Sequence, residues 1–172
     1  IKGLRRLRFG SIEPFAVNDA LLEALAETPA FCRHLHMPLQ SGDDGVLNLM
    51  RRGYDSAGFK KMADRARKHL GDDLHISTDL MVGFPGEGEN EFEELKQFII
   101  KMRFERMGAF AYSEEEGTYG AKNYKDIISQ EVKENRLKEI MDLQEGISQE
   151  INDAKIGNKF KVIIDREEND YY

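Results

Sequence analysis

"LHISTDLMVGFPGE", residues 74 to 87, decides the fold. Ile76, Leu80, Met81 and Val82 make a short apolar run of strand length, and Gly83, Pro85 and Gly86 break it. Pro85 fixes its own φ and brings no N–H to a ladder, so a strand ends here. Next comes "NEFEELKQFIIKM" (90–102), where Phe92, Leu95 and Ile99 repeat at helical spacing. A buried strand, a tight break and an amphipathic helix make a βα unit.

The same unit recurs on both sides. Upstream, "CRHLHMPLQSG" (32–42) reads as a strand, and "SAGFKKMADRARKHL" (56–70) as a helix with Phe59, Met62, Ala63 and Ala66 on one face. Before that, "LRRLRFGS" (4–11) is strand-like and ends at Gly10-Ser11, and "NDALLEALAE" (18–27) is a helix with Asn18 as its cap. Downstream, "RMGAFAYSEEEGT" (106–118) is a fourth strand with its exit loop. Strands separated by helices of this length predict right-handed βαβ units and a parallel sheet. A long helix is expected over about 129–154, capped by Ser129, with Val132, Leu137, Ile140, Leu143, Ile147 and Ile151 as its buried stripe. After "IGN" a further strand is expected, "KFKVIID" (159–165), followed by acids and "DYY". The division is therefore a barrel unit over 1–155 and the start of a different unit over 156–172.

Composition narrows the function classes. Of 172 residues, 40% are apolar and 33% charged, which fits a chain with a core and a charged surface. The apolar runs are too short for a membrane span or a secretory core segment, so no membrane partner is expected and the location is read as cytoplasmic. One cysteine, Cys32, excludes an internal disulfide framework and any cysteine-only metal site within these residues. A net charge of −7 disfavours a chain devoted to a phosphate backbone. The cluster Lys2, Arg5, Arg6 and Arg8 reads as a solvated edge. The chain opens on Ile1, and we read it as a piece of a longer protein.

Each strand runs into polar or glycine-rich residues at its C-terminal end. They are Ser11, Glu13 and Pro14; Gln40, Ser41 and Gly42; Asp79, Gly83, Pro85, Gly86 and Glu87; and Tyr112, Ser113 and Glu114 to Glu116. In parallel α/β folds ligands bind at that edge, which would place Gln40 and Ser41 on the rim of a barrel mouth. Any one of these loops could equally be an ordinary turn or helix cap. Asp79 sits in an apolar strand and needs a partner if buried. His36 shares a strand face with Pro38 and Gln40, and a packed, hydrogen-bonded histidine is a commoner finding than a metal ligand. His69 and His75 read as surface residues. Cys32 lies at the start of its strand, the wrong end for a nucleophile.

"SIEP", "HMPLQSGDDGVLNLMRRGY", "STDLMVGFPGE", "AYSEEEGT" and "NRLKEIMDLQEGIS" together resemble the methylthiotransferase family of radical S-adenosylmethionine enzymes, in order and along essentially the whole chain. The resemblance implies an α/β fold: the C-terminal part of an open, partial TIM-like β/α barrel of radical SAM type. This chain would supply strands three to six, and the long helix would lead to a small antiparallel β-domain of TRAM type. It implies S-adenosylmethionine and two [4Fe–4S] clusters in the full-length enzyme, on cysteines outside these residues. There the cluster's electron cleaves S-adenosylmethionine, the resulting radical abstracts a hydrogen from C–H, and a methylthio group is installed. By motif position, Ser11, Gln40 and Arg52 would contact the ribose or methionyl part. Asp79 and the backbone at Gly83 would lie near the adenosyl group or substrate, and Tyr112, Ser113, Glu115 and Glu116 would line the outer rim. Gly88 departs from the family's usual threonine and weakens a helix cap.

The loop "YSEEEGT" is similar to the RimO-type branch, which modifies an aspartate on a small-subunit ribosomal protein. The tRNA-modifying branches more often read "YSPRPGT". An acidic loop suits a lysine- and arginine-rich protein, and a basic loop suits RNA. The alternatives are a tRNA adenosine methylthiotransferase and, from another class, a non-catalytic RNA- or ribosome-docking module. A Schiff-base aldolase barrel is disfavoured because no lysine lies at a strand end. The chain by itself is expected to be inert and to bind no iron, with 159–172 as a stray strand or hairpin. The electron donor and sulfur source are left open.

Overall fold

A computed structural model describes residues 1–160. Its centre is a three-stranded parallel sheet in the order β1-β2-β3, formed by β1 (His34–His36), β2 (His75–Val82) and β3 (Arg106–Ala111). His34 pairs with His75 and Leu35 with Ile76, while Asp79 pairs with Gly108 and Met81 with Phe110. Helices α3 (Ser56–Leu70) and α4 (Glu89–Met102) connect these strands. Strand, helix, strand, helix, strand is the order that the periodicity predicted.

The first expected strand is thinner than predicted. Residues 4–11 form no continuous strand, and join the sheet through isolated parallel bridges, Leu7 to Phe31 and Ser11 to His36. Three backbone bonds hold the segment: Leu7 N–H to Ala30 O, Cys32 N–H to Leu7 O, and Ile12 N–H to His36 O. The second strand is shorter than predicted because Pro38 has no donor. Pairing resumes past it, where Gln40 N–H donates to Asp79 O at 2.9 Å and Met81 N–H to Gln40 O at 2.9 Å.

One face of the sheet meets the helices. Leu35, Met37 and Leu39 from the second stretch, and Ile76, Leu80 and Val82 from β2, are all fully buried. Full burial of each such side chain contributes about 1.5–3 kcal/mol. Phe59 of α3 lies at the centre, its ring edge-on to Phe98 at 6.3 Å and to Phe104 at 6.1 Å. Ala63 and Ala66 keep the same face of α3 low, so α1 (Asp19–Ala26) can pack on it with Leu22 and Leu25. The caps are local and legible: Leu21 N–H donates to Asn18 Oδ1 at 3.0 Å, and Gly58 N–H to Asp55 Oδ1 at 2.6 Å. At α4 the cap position is Gly88, which has no side chain to offer. Only Glu91 reaches back, accepting from Gly88 N–H at 2.9 Å.

Two short helices were not foreseen, α2 (Asp44–Leu49) and α5 (Tyr119–Asn123), capped by Asp43 and Thr118. The long helix α6 (Gln130–Asp153) begins after Ser129 as expected, but its buried face is mixed. Ile140 and Ile147 are buried, with Leu137, Leu143 and Ile151 packed beside them. Val132 is exposed, and the buried positions also include Lys133, Arg136 and Gln144. Gln144 donates from Nε2 to Phe104 O at 2.8 Å, a backbone acceptor that an aliphatic residue would leave unsatisfied. Past α6, Ile156 and Phe160 are exposed. The strand expected at 159–165, the hairpin expected at 159–172 and most of the second unit lie outside the described residues.

Candidate functional site

At the C-terminal edge of the sheet a cleft of about 340 Å³ opens between the ends of the second stretch, β2 and β3. Met81 lies on its floor, Phe84 and Tyr112 form one wall, and Leu49, Met50 and Arg51 from the end of α2 form the other. Gln40, Ser113, Glu115 and Thr118 bring the polar edges. The aromatic wall is a packed set: Phe84 meets Tyr112 edge-on at 5.1 Å and Tyr124 at 6.0 Å. Across the mouth, the Arg51 guanidinium stacks 4.5 Å from the Tyr119 ring centre.

Backbone strain concentrates here. Among the described residues, the non-glycine residues with positive φ are Gln40 at 75°, Arg51 at 59° and Arg103 at 48°. Arg103 is the C-cap of α4, but Gln40 and Arg51 both line the cleft. A left-handed non-glycine residue costs of order 1–3 kcal/mol and persists where its surroundings dictate it. Gln40 is dictated by the two ladder bonds on either side of its peptide units.

The residues after Gln40 do not belong to the rim. Ser41 is fully buried, and its Oγ accepts from Asp43 N–H at 3.2 Å. A Cβ on Gly42 would fall 2.7 Å from Phe98 Cβ and 2.9 Å from Leu95 Cα, so α4 packs directly on this glycine. The expectation that Ser41 sits on the mouth is corrected: serine and glycine here start α2 and admit α4.

The loop "GFPGE" is held from outside the sheet. Gly83 has φ of 71°, and a Cβ there would clash with Lys133 Cγ, so the lysine stem lies against the backbone. Gly83 N–H donates to Glu87 Oε1 at 2.7 Å. Arg136 in turn donates from Nη1 to Glu87 O at 2.8 Å and to Glu87 Oε1 at 3.0 Å, and from Nη2 to the exposed Glu89 at 2.7 Å. Burial pushes the Glu87 carboxyl above its usual range, against the pull of the Gly83 N–H and of Arg136. Lys133 pairs with Asp126, and its ammonium lies 5.1 Å from the centre of the Tyr112 ring. Burial, then Glu114 and Asp126, raise the Tyr112 phenol, whose oxygen has no hydrogen-bond partner.

The structure brings together Gln40, Tyr112, Ser113 and Glu115 around the cleft, with the Gly83 loop behind Phe84. Tyr112 is a buried wall, with 7% of its surface exposed, rather than an outer-rim residue. Glu116 is exposed and does not line the cleft. Arg52 turns away: its Nη2 donates to Glu13 Oε2 at 3.0 Å and its Nε to Tyr54 Oη at 3.0 Å, tying α2 to the residues after Ser11. Ser11 is exposed at the end of its bridge to His36. Asp79 sits deeper on the sheet face away from the helices, with His36 Nε2 3.0 Å from its Oδ2. Leu49, Met50, Arg51, Phe84 and Tyr119 were not singled out from sequence. Arg51 carried a weak signal as the second of two adjacent arginines.

The chemistry of this donor set can be stated. Apolar and aromatic walls with a few polar edges suit a planar nucleoside carrying a polar tail, and S-adenosylmethionine fits that description. Residues here do not fit an iron–sulfur cluster. Among the described residues no group of three or more His, Cys, Asp or Glu is placed to hold a metal ion, and Cys32 lies at the opposite end of the sheet. Also among them, no helix is long and apolar enough to cross a membrane.

Comparison with known proteins agrees with this geometry. Residues 7–99 match the family model of the radical SAM superfamily. A protein of Bacteroides thetaiotaomicron named ribosomal protein uS12 methylthiotransferase RimO is 48% identical over 172 residues, covering 100% of this chain and 39% of that protein. One of the same name from Phocaeicola vulgatus is 46% identical, covering 100% and 40%, and one from Christiangramia forsetii is 41% identical, covering 100% and 38%. This chain therefore spans about 40% of the length of the relatives that it matches. Among solved structures, coproporphyrinogen III oxidase (HemN) from Escherichia coli, described as a radical SAM enzyme, superposes with a TM-score of 0.66 at 20% identity, over 80% of this chain and 31% of that one. That likeness concerns the fold, a partial TIM-like radical SAM barrel.

Proposed function

We propose that this chain, which belongs to the radical SAM superfamily, is the C-terminal barrel portion of a methylthiotransferase acting on an aspartate of a small-subunit ribosomal protein. The observation that carries the reading is identity of 41–48% along the whole chain to proteins named for that activity. The cleft at the strand ends supports it.

In this reading the chain's own residues bind and orient. Phe84, Tyr112 and Met81 exclude water from the nucleoside part of S-adenosylmethionine, and Gln40 presents its strained peptide at the cleft edge. Glu87, Arg136 and Lys133 fix the loop behind that wall. The exposed Glu114, Glu115 and Glu116 present negative charge to a basic protein substrate, favouring encounter with it over RNA. Bound cofactor supplies the radical chemistry, and the cysteines for its two [4Fe–4S] clusters belong to other parts of the enzyme. The isolated chain is accordingly expected to bind no iron after anaerobic reconstitution and to be inert, and stoichiometric cluster uptake would overturn that.

The deciding experiment is the intact mass of the ribosomal protein uS12 from cells with and without the full-length gene. A methylthio increment present in the parent and lost in the deletion is the expected result. An unchanged mass, with a methylthio group lost from tRNA adenosines instead, would move the assignment to the tRNA branch. A change in neither would favour a docking module.

A further inference from the structure

The sheet face turned away from the helices carries an unbroken line of hydrogen-bonded side chains. Arg8 Nη2 lies 3.0 Å from His34 Nδ1, and His34 Nε2 lies 2.9 Å from Ser77 Oγ. Ser77 Oγ is 2.9 Å from His36 Nδ1, and His36 Nε2 is 3.0 Å from Asp79 Oδ2. Strand register makes the line: His36 pairs with Ser77, so alternate residues of two parallel strands interleave on one face.

The line has a direction, fixed at one end. A guanidinium only donates, so His34 Nδ1 accepts and its proton lies on Nε2. His34 Nε2–H then donates to Ser77 Oγ, and the serine hydroxyl passes its own hydrogen to His36 Nδ1. That leaves His36 Nε2–H to donate to Asp79. Burial and then Arg8 hold the His34 ring below its usual range, in keeping with a neutral imidazole.

Asp79 is left half engaged. His36 holds Oδ2. On the other side, Gly108 is its register partner, and a Cβ there would fall 2.9 Å from Asp79 Oδ1. Glycine thus leaves room at that oxygen, and the side chain remains 35% exposed. Met81, two residues along the same face and so about 6.6 Å away, is the cleft floor.

We propose that Arg8, His34, Ser77 and His36 are positioning residues that hold Asp79 as an oriented carboxylate below the cleft, where Oδ1 accepts a hydroxyl or ammonium hydrogen of S-adenosylmethionine. This rests on the cofactor reading above. The four residues act through Asp79, and only Asp79 touches the ligand.

The test uses the full-length protein, in two measurements. In the iron-free protein labelled with ¹⁵N-histidine, His34 and His36 are expected as the Nε2–H tautomers, and Ser77→Ala releases His36 into a mixture. His36 protonated on Nδ1 in the wild type overturns the line. By equilibrium dialysis, Asp79→Asn and His36→Gln are expected to weaken S-adenosylmethionine binding about 10-fold or more, the scale of one hydrogen bond to a charged group. Arg8→Met, at an exposed position where folding is not at stake, is expected to weaken it about 3-fold. Binding unchanged in all three overturns the proposal. A loss shared with 5′-deoxyadenosine assigns the hydroxyl, a loss shared with methionine assigns the ammonium, and a loss shared with neither overturns the contact. Wild-type protein that binds no S-adenosylmethionine sinks the cofactor reading and the ligand assigned to Asp79, while the tautomers still decide the line.

Discussion

Lys133 lies across Gly83, so closely that a methyl group on the glycine would meet the lysine Cγ. One residue comes from the loop behind the cleft and the other from the first turns of α6. The contact explains why glycine stands at 83 without any ligand. Positive φ and the lysine stem each exclude a side chain, and the backbone N–H is already spoken for by Glu87.

Gly83→Ala is expected to destabilise the protein by about 2–4 kcal/mol, combining a left-handed backbone penalty with overpacking. In a Lys133→Ala background the steric part disappears. A double-mutant cycle by urea unfolding should show coupling of about 1–2 kcal/mol between the two positions. Additive costs would mean that the loop moves away from α6 without strain.

Arg136→Met leaves Glu87 buried without its cation and is expected to cost about 3–5 kcal/mol at neutral pH. Glu89 lies at the surface and contributes little to that figure. The sign of the pH dependence follows from Glu87. Its carboxyl titrates above the usual 4.5, so its protonated form favours the folded state, and that favour is lost as pH rises through the folded pKa. The deficit of Arg136→Met should therefore shrink as pH is lowered from neutrality toward 5, and melting temperatures of the two proteins across that range measure it.

His34 shifts the other way. Its folded pKa lies below 6.5, chiefly through burial and then Arg8, so the unfolded chain binds the proton more readily. Stability from this residue is present above pH 6.5 and is lost as pH falls through the folded value. His34→Gln should flatten that limb of the stability profile, which denaturant midpoints on either side of pH 6.5 will show.

Replacing Glu114, Glu115 and Glu116 together by glutamine tests the substrate class. These side chains are exposed and loosely placed, so folding should change by less than about 0.5 kcal/mol. If the substrate is a basic protein, association of the full-length enzyme should slow about 10-fold at low salt and less at high salt. Faster association with tRNA on neutralising the loop would point to the other branch.

What was legible in the sequence was whatever is encoded locally. The period of Phe92, Leu95 and Ile99, the caps at Asn18 and Ser129, and the break at Gly83 and Pro85 each act within a few residues. The order of strands and helices could therefore be read without coordinates. The cleft was legible only as an edge. Gln40, Tyr112, Ser113 and Glu115 meet there, but Arg52 turns to Glu13 and Ser41 turns inward. Nothing in their neighbours along the chain distinguishes those outcomes.

The tertiary structure decided the rest, because the partners lie far apart in sequence. Lys133, Arg136 and Gln144 read as gaps in an apolar stripe. They are buried because Gly83, Glu87 and the Phe104 carbonyl, some forty to fifty residues earlier, present acceptors and space to that face of α6. The line from Arg8 to Asp79 exists only in the register that sets His36 opposite Ser77. By itself the sequence determined the elements and the end of the sheet that could hold a site, since periodicity, caps and breakers are short-range. Which polar groups are satisfied, buried or free to act was set by packing and register, which join segments that the chain keeps apart.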